Sequence, residues 1–71
     1  MIEVRLFATL RENRGKVLNL ETFNTIQDLI DYLNIPSEEV AICLVNGFHS
    51  KLNKKIKDND IIAIFPPVGG G

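Results

Sequence analysis

Helical periodicity occurs once in this chain, and that constrains the fold more than any other feature. Ile26, Leu29, Ile30 and Leu33 stand at i, i+3, i+4 and i+7, with Gln27, Asp28 and Asp31 among them. That spacing lays one apolar stripe along one helix. Thr25 is placed to cap the first turn, Asp28 sits at the third helical position where its charge suits the helix dipole, and Pro36 sets the end. The other apolar segments follow strand rules. One helix can cover only one face of a sheet, so the other face is left without a helical partner.

Ile2, Val4, Leu6, Ala8 and Leu10 alternate with Glu3, Arg5, Phe7, Thr9 and Arg11, which predicts a half-buried strand with its even positions inward. Residues 13–16 (NRGK) form a turn, and 17–23 return as a second strand of an N-terminal hairpin. Residues 36–40 allow a single further turn after the helix. The segment 41–45 is apolar almost throughout and runs into Asn46-Gly47, then a short strand at 48–50. Asn-Gly between strand formers is a strong hairpin signal, because a type I′ turn needs positive φ at both positions. Residues 57–60 (KDND) form another turn, and 61–65 (IIAIF) form an apolar strand long enough to be buried on both faces. The expectation is an α+β fold: a mixed sheet of about five strands with one main helix on one face. Placing the first and last strands parallel at the centre gives the ubiquitin-like β-grasp arrangement, one choice among few allowed topologies. Residues 1–65 form the domain and 66–71 a flexible tail.

With 71 residues the chain makes one domain, which buries only about 60% of the surface that its unfolded form exposes. The 45% hydrophobic content supplies a core without staples, and the lone Cys43 excludes an internal disulfide. One cysteine suits a reducing compartment, so a cytoplasmic location is expected. Glu3 and Arg5 interrupt the N-terminal apolar residues, so the start is read as neither a signal peptide nor a membrane span. A net charge of -1 argues against a nucleic-acid partner. Lys51, Lys54, Lys55 and Lys57 form the one basic cluster, followed by Asp58 and Asp60. It is read as a solvated loop, with a docking patch for an acidic partner as the alternative.

Cys43 and His49 are the first candidates for a nucleophile and its base. A two-residue loop at Asn46-Gly47 pairs Val45 with Phe48, Leu44 with His49 and Cys43 with Ser50, and paired residues share a face. Cys43 and His49 then point to opposite faces, so Cys43 is assigned to the core and His49 to the surface. One Cys and one His cannot close a metal site, and Asp58 with Asp60 does not make a calcium loop. The terminal glycines lack the following helix that a phosphate loop needs. No conventional active site is expected.

Two features remain. Phe7 lies on the odd face of the first strand, and Phe65 shares a face with Ile61 and Ala63, opposite Ile62 and Ile64. If the two strands are neighbours, these aromatics form an apolar patch on the open face, beside the root of the tail; the alternative is that one of them tucks under the loops. The tail itself is FPPVGGG, residues 65–71. Pro66 and Pro67 cannot donate to a sheet and stiffen the chain, while Gly69, Gly70 and Gly71 add no side-chain bulk. The four residues from Val68 span at most roughly 14 Å, a shape suited to delivering an α-carboxylate through a narrow channel. A frayed terminus or cloning scar is the alternative.

The segments VRLFATLRE, LVNG and DNDIIAIFPPV, with the terminal Gly-Gly, resemble the small-subunit family of molybdopterin synthase. These are sulfur carriers of the ubiquitin-like β-grasp type, akin to the thiamine-pathway carriers. Gly69 departs from the family pattern, where a small residue with a side chain is more usual. The resemblance implies that Gly71, presented by Gly70, is adenylated and converted to a thiocarboxylate that gives its sulfur to a pterin precursor. It implies an ubiquitin-activating-type adenylyltransferase and the large synthase subunit as partners. No cofactor would be bound to the chain, and ATP would be used by the activating enzyme. Phe7, Arg11, Phe65, Pro66, Pro67, Val68 and Gly69 would meet the partners, and catalytic side chains would belong to those partners. A thiamine-type or other sulfur carrier, an ubiquitin-like modifier and a plain interaction module are the competing readings.

Overall fold

The computed structural model describes residues 1–68. The N-terminal alternation is realised over Ile2–Leu6 (β1), where Ile2, Val4 and Leu6 are buried. β1 is shorter than its pattern. Ala8 takes φ 54, in the left-handed region that a residue with a Cβ seldom adopts, and Ala8–Arg11 winds into a 3-10 turn. Leu10 still reaches the core, carried inward by that turn and not by strand parity. The chain returns as Val17–Leu20 (β2), antiparallel to β1 with Ile2 opposite Leu20. The expected strand from 17 to 23 therefore stops at Leu20.

The helix covers Ile26–Tyr32 (α1) and buries Ile26, Leu29 and Ile30. Thr25 closes a full capping box: its hydroxyl accepts from the Asp28 N–H at 3.2 Å, and the Asp28 carboxylate accepts from the Thr25 N–H at 3.2 Å. The first-turn amides Ile26 and Gln27 donate to the carbonyls of Lys54 and Leu52, so the loop after β4 is tied to the helix start. Pro36 is not what ends α1. Asn34 at φ 58 does so earlier, with Asn34 N–H on Asp31 O and Ile35 N–H on Ile30 O, the pair of bonds of a Schellman cap. Arg14 reinforces this end, its guanidinium donating to the carbonyls of Leu33, Asn34 and Leu10 at 2.9, 3.0 and 3.2 Å.

After a short 3-10 turn at Ser37–Glu39 come Ile42–Val45 (β3) and Phe48–His49 (β4), joined through Asn46 and Gly47 at φ 52 and 89. Both central residues have positive φ, as a type I′ turn requires. The last strand is Ile61–Phe65 (β5). The sheet order is β2-β1-β5-β3-β4, with β1 and β5 parallel at the centre and the other pairs antiparallel. This is the expected α+β, β-grasp topology. The core lies between α1 and one face of the sheet, where Ile62 and Ile64 join Val4, Leu6, Leu29 and Ile30. β5 is not buried on both faces as its composition predicted: Ile61 is 39% exposed, and Ala63 and Phe65 are half-buried. A single helix leaves that face open. Among the described residues no helix is long and apolar enough to cross a membrane.

Candidate functional site

The open face of the sheet collects what the helix does not cover. Parallel register places Leu6 beside Ile64, so the residues that follow, Phe7 and Phe65, meet at the same end of the two central strands. Their rings stack with centroids 4.1 Å apart and planes 10° from parallel, a close, nearly parallel aromatic contact. Phe7 keeps an extended backbone, at φ -124 and ψ 150, before the chain turns at Ala8. That lets its ring follow strand parity onto the open face. The two aromatics are therefore neighbours on the open face as expected, but each is half-buried and not fully exposed, and Phe7 lies just past the strand and not inside it.

Arg11 completes the cluster from the 3-10 turn. Its Nε donates to the Leu6 carbonyl at 2.8 Å, and its guanidinium carbon stands 5.4 Å from the Phe7 ring centroid. The carbonyl fixes the side chain against the ring, where a cation is attracted by the π face. The family resemblance put Arg11 among the partner-facing residues, and the structure holds it beside the Phe7 ring by a bond that residue spacing did not reveal. β3 adds two members that sequence reasoning passed over: Ile42 is opposite Phe65 and Leu44 opposite Ala63, so both lie on this face. The hairpin parity at Asn46-Gly47 already carried that information.

Beyond Phe65 the chain leaves the sheet. Pro66 is half-buried, Pro67 is exposed, and Val68 is 98% exposed with no strand or helix pairing. A side chain so exposed is open to a partner and contributes nothing to the core. Gly69, Gly70 and Gly71 lie outside the described residues.

The side chains that might have carried chemistry inside the chain are kept apart. Leu44 pairs with His49, and Ser50 N–H donates to the Cys43 carbonyl, so Cys43 and His49 occupy opposite faces. Cys43 is buried, and its burial pushes the thiol pKa up, against a smaller lowering by the Ser50 hydroxyl. A raised pKa means less thiolate and a poorer nucleophile. Among the described residues, no three His, Cys, Asp or Glu side chains gather as a metal site would need.

Comparison with known proteins agrees with this geometry. The structure superposes on SAMP1, a small archaeal modifier protein from Haloferax volcanii, with a TM-score of 0.75 at 26% identity, covering 99% of this chain and 98% of that one. It superposes on a chain of the complex of subunits 1 and 2 of molybdopterin-converting factor from Helicobacter pylori 26695, with a TM-score of 0.67 at 26% identity over 99% and 97%. A third similar structure, the Haloferax volcanii protein HVO 2177, gives 0.73 at 28% identity over 99% and 85%. No curated protein sequence matches the chain. The ThiS family signature matches residues 4–71, from the first strand through the glycine tail, and the chain therefore belongs to the ThiS family.

Proposed function

We propose that this chain is a sulfur carrier whose reacting group is the α-carboxylate of Gly71. The observation that carries the reading is the Phe7–Phe65 stack at the root of a side-chain-poor tail whose Pro67 and Val68 are exposed, in a member of the ThiS family. A carboxylate is a poor electrophile. An ubiquitin-activating-type adenylyltransferase joins Gly71 to AMP from ATP, with pyrophosphate leaving, and a sulfur nucleophile then displaces AMP to leave a thiocarboxylate. The chain binds no cofactor in this scheme. The tail then enters the large subunit of molybdopterin synthase and passes its sulfur to a pterin precursor, building the dithiolene that holds molybdenum. Similarity to a protein solved as a complex of subunits 1 and 2 of molybdopterin-converting factor supports a large-subunit partner. Phe7, Phe65 and Arg11 dock the partner; Pro66 and Pro67 direct the tail; Val68 is the last side chain to grip, and Gly69 and Gly70 thin the chain behind Gly71.

The likeness to a small archaeal modifier protein favours a second reading, in which the adenylated carboxylate passes to a lysine amine. One experiment addresses both. The chain is incubated with its activating enzyme, ATP and a sulfur source, and its intact mass is measured. A gain equal to one oxygen-for-sulfur exchange, lost on deletion of Gly71 with the urea midpoint unchanged, supports the carrier. Appearance of the chain on target lysines without that gain selects the modifier. No change, with the activating enzyme competent on another carrier, overturns both.

A further inference from the structure

A second surface lies away from the tail. Phe48 pairs with Val45 at the end of β3 opposite to Ile42 and Phe65, on the side of the sheet that α1 packs against. β4 is an edge strand, and Phe48 is 77% exposed there. Its ring borders a groove of about 520 Å³ whose other walls include Val45, Lys51, Lys54, Lys55 and Lys57. The loop bearing these lysines is fixed at its backbone. Lys54 O accepts from Ile26 N–H at 3.0 Å, Leu52 O from Gln27 N–H at 2.8 Å, and Ile56 N–H donates to Asn24 O at 3.0 Å. Among the described residues none of the four lysines has a carboxylate within ion-pair distance. The groove's one carboxylate, Asp60, feels the charges of Lys57 and Lys54 but is already bonded to Asn46 and to the Lys57 N–H.

We propose that this groove docks an acidic protein segment that carries one apolar side chain. The exposed Phe48 ring, with Val45 beside it, offers an apolar contact for one side chain, and the unpaired lysines match the charged rim of a protein interface. The rim sets the sign of the partner: four cations with no free anion among them attract an acidic segment and repel a basic one. The surface is independent of the tail, because Phe48 and Phe65 lie at opposite ends and on opposite faces of the sheet. A partner held here leaves the Phe7–Phe65 face and the C-terminus free.

A phage-displayed random peptide library panned on the full-length chain tests this, with counter-selection on the Lys54→Glu, Lys55→Glu double variant. The expected consensus is Asp and Glu around one apolar residue. The selected peptide, fluorescein-labelled, is expected to weaken at least about tenfold on Phe48→Ala and on the lysine double variant, and to weaken as salt is raised. Its amide shifts are expected over residues 45–57 and not at Phe7 or Phe65. Exposed positions leave both variants folded, which unchanged urea midpoints verify. No enrichment, a consensus without acidic excess, or shifts centred on Phe7 and Phe65 overturns the proposal. So does tighter binding of a labelled oligoribonucleotide at the same lysines than of any selected peptide.

Discussion

Replacing Asp60 by Asn should destabilise the fold at neutral pH and should cease to do so in acid. Asp60 is nearly buried, and its two carboxylate oxygens serve two donors: Asn46 Nδ2 at 2.8 Å and Lys57 N–H at 2.9 Å. Asn46 in turn accepts from Ile61 N–H at 2.9 Å, so one carboxylate joins the β3–β4 turn, the 57–60 turn and the start of β5. An asparagine offers one oxygen and one NH2 group, which leaves one of the two donors facing another donor. Losing a hydrogen bond to a buried charged group costs about 1.5–3 kcal/mol, against the roughly 4–11 kcal/mol expected for a chain of this length. The Asp60 pKa lies below the ordinary 3.8, chiefly through the Lys57 N–H, with desolvation opposing and Asn46 and nearby lysine charges assisting. A depressed folded-state pKa contributes stability that is complete above the unfolded value and is lost as pH falls through the folded one. Asp58 shifts the same way, mainly through its hydrogen bond to the N-terminal ammonium, but it is present in both proteins and cancels in their difference. Urea unfolding followed by circular dichroism, from pH 7 to about pH 2, should show the gap between wild type and Asp60→Asn closing below 3.8. A gap under about 0.5 kcal/mol at pH 7, or one that stays constant into acid, would refute the assigned role.

Other outcomes can be checked on the same protein. A double-mutant cycle of Phe7→Ala and Phe65→Ala, read by urea unfolding, should give a coupling of about 0.5–1.5 kcal/mol for the stacked rings; no coupling would mean the rings do not support each other in solution. Either single variant should weaken binding to the large-subunit partner proposed above by more than it weakens folding, as for an interface anchor, and equal losses would make the residue structural only. Arg14→Ala should cost about 1.5–3 kcal/mol through its three carbonyl partners, and a smaller loss in Arg14→Lys would measure what the guanidinium fork adds. Cys43 should react with a thiol reagent only as denaturant unfolds the chain; rapid reaction in the native state would contradict its burial.

Local chemistry made much of this fold legible. The apolar stripe, the Thr25 and Asp28 cap and the Asn46-Gly47 turn each depend on a few adjacent residues, and each appears as expected. Strand parity separated Cys43 from His49 and put Phe7 and Phe65 on one face, since a period of two leaves only one alternative. The errors came where the pattern persisted after its cause had ended. Alternation continues through Ala8 and Leu10, yet the backbone leaves the strand at Ala8, and a 3-10 turn happens to return Leu10 to the same core. Pro36 drew attention from Asn34, which stops the helix two residues sooner with help from Arg14, twenty positions away. The apolar run of β5 suggested burial on both faces, whereas the number of helices, and not the strand's composition, decides that. The exposure of Phe48 was hidden for a similar reason: parity assigns its face, but only the outermost position of β4 shows that α1 does not cover it.

In the carrier proposed above, the parallel pairing at the centre of the sheet is what would join recognition to reactivity. Two adjacent parallel strands end on the same side, so the end of β1 that supplies Phe7 and leads to Arg11 lies beside the end of β5 that supplies Phe65 and releases the tail. Antiparallel pairing would carry Phe7 to the far end of the sheet, and a one-residue slip would turn its ring into the core. Phe7, Arg11, Phe65 and the start of the tail are therefore held together by topology. The lysine groove meets the opposite condition. It lies where β5 begins, at the end away from Phe65 and Pro66, where a bound partner would leave the proposed reacting terminus free.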